Sequence, residues 1–112
     1  MAFAAQVADA ELKPDGLRPD QVLAGNPVTS DLVLARHDNA RYGIWEITPG
    51  KAIQVAPTGM FVVISGRATI AVEGGSTFDI GPGDVCIWDG GERTVWTVYE
   101  TVRKVWCIPS PS

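Results

Sequence analysis

Histidine is almost missing from this chain, with His37 the single example in 112 residues. Its two cysteines, Cys86 and Cys107, lie far apart, without the Cys-x-x-Cys spacing or the accompanying histidines of a zinc site. No apolar run approaches the roughly 20 residues that cross a bilayer, and no window carries the period of a long amphipathic helix. Basic residues never cluster beyond Arg103-Lys104. With 13 acidic against 9 basic side chains the formal charge is −4, which repels a phosphate backbone. These shortages exclude nucleic acid and membrane as expected partners. The opening MAFAAQVADAEL has no positive n-region before its short alanine-rich stretch, so a cytoplasmic location is the expectation.

What is present is a chain 46% hydrophobic, long enough for one core and too short for two. Before residue 31 lie Pro14, Gly16, Pro19, Gly25 and Pro27, which make residues 1–30 an extended N-terminal arm with at most a helical turn at Asp20 to Leu23. After it, β-branched and aromatic stretches alternate with turn signals: Asp38-Asn39, Pro49-Gly50, Ser65-Gly66, Gly74-Gly75, Gly81-Pro82-Gly83 and Gly90-Gly91. Strands are expected at 31–36, 42–48, 51–56, 60–65, 67–73, 76–80, 84–89, 93–99 and 102–108. Residues 31–112 therefore read as one all-β domain, closed into a barrel or sandwich.

Segments starting at Gly43 (GIWEITPG), Val62 (VVISGRATI) and Ile80 (IGPGDVCIWDGGERTVW) resemble a small cupin jelly roll, and their order and spacing are similar over about residues 22 to 107. They look like the family that includes ureidoglycine aminohydrolase-like and ethanolamine-utilisation-like cupins. That resemblance implies an RmlC-like jelly-roll barrel and, in most such cupins, a metal held by His and Glu. Here the corresponding positions depart from the pattern. Counting back from Gly66 puts Gly59 where the Glu stands. The paired His positions fall near Ala52 and Gln54, or Ile53 and Val55, and the last His position falls on Thr94, with Asp89 where a Pro is usual. None of these makes a ligand set for a transition metal, which needs three or four converging N, O or S donors. No metal and no cofactor are expected, and His37, beside its turn, reads as a loop residue.

Strand alternation turns Phe61 and Val63 inward from Gly59, and Trp96 and Val98 inward from Thr94, with Gln54 on the neighbouring strand. Gln54, Phe61, Thr94 and Trp96 are thus the candidate ligand pocket, an apolar hollow with few polar handles. The same tryptophans, with Trp45, serve equally as bulk that fills a small barrel. Glu46, Tyr99 and Cys86 are the candidate proton-transfer groups, with an arginine-paired Glu46 and a reduced, buried Cys86 and Cys107 as the plainer readings. Arg93, Arg103 and Lys104 are expected on an outer face, paired with acids such as Glu92 and Glu100. Asp84 in the GPGD turn is expected to accept backbone N–H bonds.

Three classes of function stay open on these residues. One is a metal-free cupin binding a small organic molecule in the barrel. Another is a metal-independent isomerase, cyclase or lyase. The third is a structural dimeric module with a filled barrel. In each case the resemblance, and the proline-rich arm, imply a homodimer.

Overall fold

The computed structural model describes residues 2–109. The last three residues of the barrel range expected from the sequence, 110–112, and Met1 of the arm lie outside the described residues. The structure is a single curled antiparallel sheet of nine strands: β1 (Lys13–Pro14), β2 (Val22–Ala24), β3 (Thr29–Arg36), β4 (Ala40–Ile47), β5 (Gly50–Val55), β6 (Gly59–Val72), β7 (Thr77–Ile80), β8 (Val85–Trp88) and β9 (Arg93–Pro109). Among the described residues the only helix is the 3-10 turn Pro19–Gln21, which starts at its proline; it overlaps the turn expected at Asp20 to Leu23 only at Asp20 and Gln21, since Val22 and Leu23 belong to β2. No helix is long and apolar enough to cross a membrane.

The strand reading differs from the structure in one instructive way. Segments 60–65 and 67–73 are one strand, β6, and 93–99 and 102–108 are another, β9. Each long strand bends in the middle and serves both halves of the barrel. β9 pairs along one edge with β5 through residues 93–98 and with β4 through residues 102–109, and along the other with β6. β6 in turn pairs with β8 at its start and β7 at its end. The register between β6 and β9 shifts around Ser65 and Arg67, and Gly66 at that point has φ of 92° and lies so close to the Thr101 carbonyl that a Cβ would overlap it. A turn signal in sequence is here a bulged corner within a continuous strand.

The arm is tied to the barrel by three devices. β1 pairs with β3 and β2 with β5, so arm strands stand at both ends of the sheet path. The Thr29 hydroxyl hydrogen-bonds the Asp15 carboxylate. Arg103 donates to the Val7 and Ala10 carbonyls at 2.7 and 2.9 Å while its other nitrogens hold Glu46 at 3.0 and 3.1 Å.

The core follows the period of two. On β9, Thr94, Trp96, Val98, Val102 and Trp106 are buried, and their cross-strand partners Ala52, Ile70, Ala68, Ile47 and Phe61 close around them. Truncating one of the largest of these, Phe61, to alanine costs about 3–5 kcal/mol in such a setting.

Candidate functional site

The inward face of β9 does not end in hydrocarbon. Between Val102 and Trp106 stands Lys104, on the same side of the strand as both. It was expected on the outer face with Arg103, but adjacent strand residues point to opposite faces. Arg103 goes out to Glu46 and the arm, and Lys104 goes in. The Lys104 ammonium lies 3.9 Å from the Phe61 ring centroid, 4.3 Å from that of Trp45 and 5.3 Å from that of Trp96. The rings support one another, Trp45 edge-on to Trp96 at 5.4 Å and Phe61 tilted against Trp96 at 5.7 Å. A cation over three π faces is attracted by the ring quadrupoles, yet those rings also strip water from it. Burial wins: it pulls the Lys104 pKa from 10.5 down to about 7, against the opposing fields of Cys86 and Asp31.

Lys104 lines a cavity of about 480 Å³ whose walls include Trp45, Phe61, Trp88 and Trp106. Its charged lining is Lys104, Arg36 and Arg41 against a single carboxylate, Asp31. Trp106 fixes that carboxylate by donating its indole N–H to Asp31 Oδ1 at 2.9 Å. Room for the Trp106 ring comes from Gly43, where any Cβ would overlap the indole and the Leu32 carbonyl. Among the described residues no carboxylate comes within ion-pair distance of Lys104. The cavity therefore carries an excess of positive charge beside flat apolar walls.

The residues named from the sequence divide as follows. Gln54 and Phe61 line this cavity. Thr94 and Trp96 lie behind it, around an adjoining void of about 40 Å³ that Gln54 and Lys104 share. The Thr94 hydroxyl is spent on the Gln54 carbonyl at 2.6 Å. Glu46 points away and is held by Arg103. Tyr99 is 60% exposed and shares a hydrogen bond with Thr69 at 2.9 Å. Cys86 is buried, its thiol pushed from 9.0 up to about 11, mainly by desolvation. Such a thiol is a poor nucleophile. Cys86 pairs in register with Phe61 and Cys107 with Met60, which puts the two cysteines on opposite faces of the sheet, both free. Arg93 and Glu100 do form ion pairs, with Glu73 and Arg67. Asp84 accepts the Gly81 N–H at 2.8 Å as expected.

A second depression, of about 500 Å³, lies against β7 and β8. Its lining is acidic, with Asp84 and Glu92 accepting backbone N–H groups of Gly81, Asp89 and Gly90 and Asp79 accepting the Thr69 hydroxyl, so all three carboxylates already have partners within the protein.

The residues in the barrel do not fit a transition metal. Among the described residues no three His, Cys, Asp or Glu side chains are grouped so as to hold a metal ion, and a divalent ion in the cavity would face the guanidinium groups of Arg36 and Arg41. Gly59, at the position where the resemblance expects a Glu, has φ of 144° and presses on the Cys107 carbonyl, leaving no space for a Cβ.

The curled antiparallel barrel is the fold of a cupin. The chain belongs to the EutQ-like cupin domain family, whose sequence model matches residues 34–106. A Pseudomonas syringae pv. tomato protein of unknown function from the DUF861 family is 26% identical over 88% of this chain and 44% of its own, with a TM-score of 0.74. This chain thus spans less than half of that relative. The Clostridium difficile EutQ protein is 17% identical over 82% of this chain and 76% of its own, TM-score 0.65. The polyketide cyclase RemF from Streptomyces resistomycificus is 18% identical over 97% and 80%, TM-score 0.67. The last two likenesses concern the fold. No functionally curated protein matches the sequence.

Proposed function

We propose that this cupin-domain protein binds a small organic anion in its barrel, without a metal, through Lys104, Arg36 and Arg41, with Gln54 as a polar handle and Phe61, Trp45 and Trp88 as apolar walls. One observation carries the reading. The cavity places a cation without a direct carboxylate partner among aromatic rings and puts two more cations along its lining. A carboxylate on a flat or short apolar body answers both features, since the charge neutralises Lys104 and the body replaces water on the rings. The open volume of about 480 Å³ favours this reading over a barrel filled by its own side chains.

The protein acts as a homodimer in this reading. Along β8, β6 and β9 the outward residues form two rows in register, Val85 with Val62 and Val105, and Ile87 with Met60 and Cys107. None carries a charge, and Ile87 is 78% exposed. An uncharged apolar face repeated on a second copy is self-complementary, the requirement of a two-fold interface.

Thermal unfolding in the presence of benzoate, pyruvate and their uncharged amides tests the binding reading. A ligand at about 100 times its Kd stabilises by about 2.7 kcal/mol, so at least one carboxylate is expected to raise the melting temperature where its amide does not. Equal behaviour of acid and amide overturns it.

A further inference from the structure

A lysine enclosed by three rings is an odd choice for an anion anchor. Arginine keeps its charge under any burial and binds carboxylates with two parallel hydrogen bonds, and the same cavity already has Arg36 and Arg41. What lysine adds is a nitrogen able to give up its proton and present a lone pair.

The register gives the distance over which these groups work. Lys104 sits opposite Trp45, and Arg41 lies four residues along β4 on the same face, paired with Ile108 on β9 and Arg36 on β3. Four residues of antiparallel strand span about 13 Å. Arg36, Arg41 and Lys104 all line the one cavity of about 480 Å³, so a small molecule whose carboxylate meets the arginines occupies the space that Lys104 faces.

We propose that Lys104 is a covalent binding residue: its Nζ forms a reversible imine with the carbonyl carbon of a small oxo acid whose carboxylate is held by Arg36 and Arg41. This rests on the anion-binding reading above and names its ligand class. The lone pair of the neutral amine attacks the carbonyl carbon, the C=O π pair moves to oxygen, and the amine proton moves to that oxygen, giving a carbinolamine. Loss of one water then forms the C=N bond. No oxidant or reductant is consumed. The protonated imine keeps a positive charge over the faces of Phe61, Trp45 and Trp96, within the field of Asp31. The low pKa of Lys104, about 7, supplies the neutral amine near neutral pH. Cys86 is the other buried nucleophile nearby, and its raised pKa leaves it protonated there.

The chain contains its own controls, since its other lysines, Lys13 and Lys51, are exposed. Full-length protein is incubated with pyruvate at pH 8, reduced with cyanoborohydride and examined by intact mass and peptide mapping. The expected product gains the mass of one pyruvate less one oxygen atom. Lys104 is expected to be labelled on the order of tenfold more than Lys13 or Lys51, because an exposed lysine is almost wholly protonated at that pH. Lys104→Arg keeps the cation and should lose the adduct. Arg41→Gln should lower adduct yield with the Lys104 amine intact. Labelling spread evenly over the three lysines, or confined to Lys13 and Lys51, overturns the proposal using the unsubstituted protein alone. Thermal stabilisation by pyruvate with no trapped adduct refutes the covalent step while the anion-binding reading survives. Absence of both refutes this proposal and pyruvate as a ligand, while stabilisation by benzoate alone would again leave the binding reading standing.

Discussion

Trp106 donates its indole N–H to Asp31 at 2.9 Å, and in doing so fixes the single carboxylate in the lining of the barrel cavity. Asp31 acts on Lys104 through its field and not through an ion pair. The cavity cation is left to the aromatic rings, and its protonation is set by how poorly they replace water.

Lys104 should give the fold a distinctive pH dependence. Its pKa is about 7 folded against 10.5 in the open chain. Above pH 7 the unfolded chain holds a proton that the folded chain has shed, so stability rises with pH from about 7 until both states have lost it near 10.5. Cys86 works in the other direction, its pKa going from 9.0 up to about 11 on folding, and subtracts stability only above about pH 9. The remaining charged groups facing the cavity are Asp31, Arg36 and Arg41. Denaturant titrations at pH 6 to 9 should show the rise. Lys104→Met, close in volume and uncharged, should abolish it and stabilise the protein at pH 6 by about 1–3 kcal/mol. An unchanged slope would remove Lys104 from the account.

Arg103 should matter to the arm more than to the barrel. Arg103→Ala removes the donors to Val7 and Ala10 and leaves Glu46 without its partner. Global stability should fall by about 1–3 kcal/mol. The sharper signal is limited proteolysis, in which cleavage before β1 should speed up well before the barrel is cut.

Gly59→Glu restores the carboxylate that a metal-binding cupin would have at this place, and it should yield no metalloprotein. Its backbone at φ 144° and the adjacent Cys107 carbonyl oppose any side chain, at about 1–3 kcal/mol for the conformation alone. The expected result is lowered melting temperature and no stoichiometric metal by elemental analysis. A stable variant that retains zinc, iron or manganese would contradict it.

Ile87→Glu puts a charge into the exposed row that Ile87 makes with Met60 and Cys107. Light scattering should report a dimer for the parent and a monomer for the variant, with circular dichroism unchanged. A monomeric parent at micromolar concentration would dispose of the interface.

The frame was legible because turn glycines and alternating apolar residues are local signals. Phe61 and Trp96, read as inward from period-two counting, are 1% and 2% exposed. The same counting reaches Lys104, eight residues beyond Trp96 and two before Trp106, but Arg103-Lys104 reads as a unit of charge, and charge is ordinarily assigned outward. Applying the pleat to the charged residues as strictly as to the apolar ones would have found it. The bends in β6 and β9 hid behind glycines that look like turns. Arg36, Arg41 and Asp31 enter the site through strand pairing alone, a long-range relationship with no mark on the neighbouring sequence. The exposed outer row on β8 was missed because Val85 and Ile87 look like core residues in a hydrophobic segment.

The placement of β1 and β2 has a practical bearing on how this protein is handled. Each caps one terminus of the strand path; both are only two or three residues long, and β1 contains a proline that offers no N–H. Trimming the chain to the span shared with its family, 34–106, would strip these covers and most of β3 at once, leaving raw backbone donors and acceptors on both flanks. A shortened version made for convenience is therefore expected to be more prone to stacking strand against strand than the full chain.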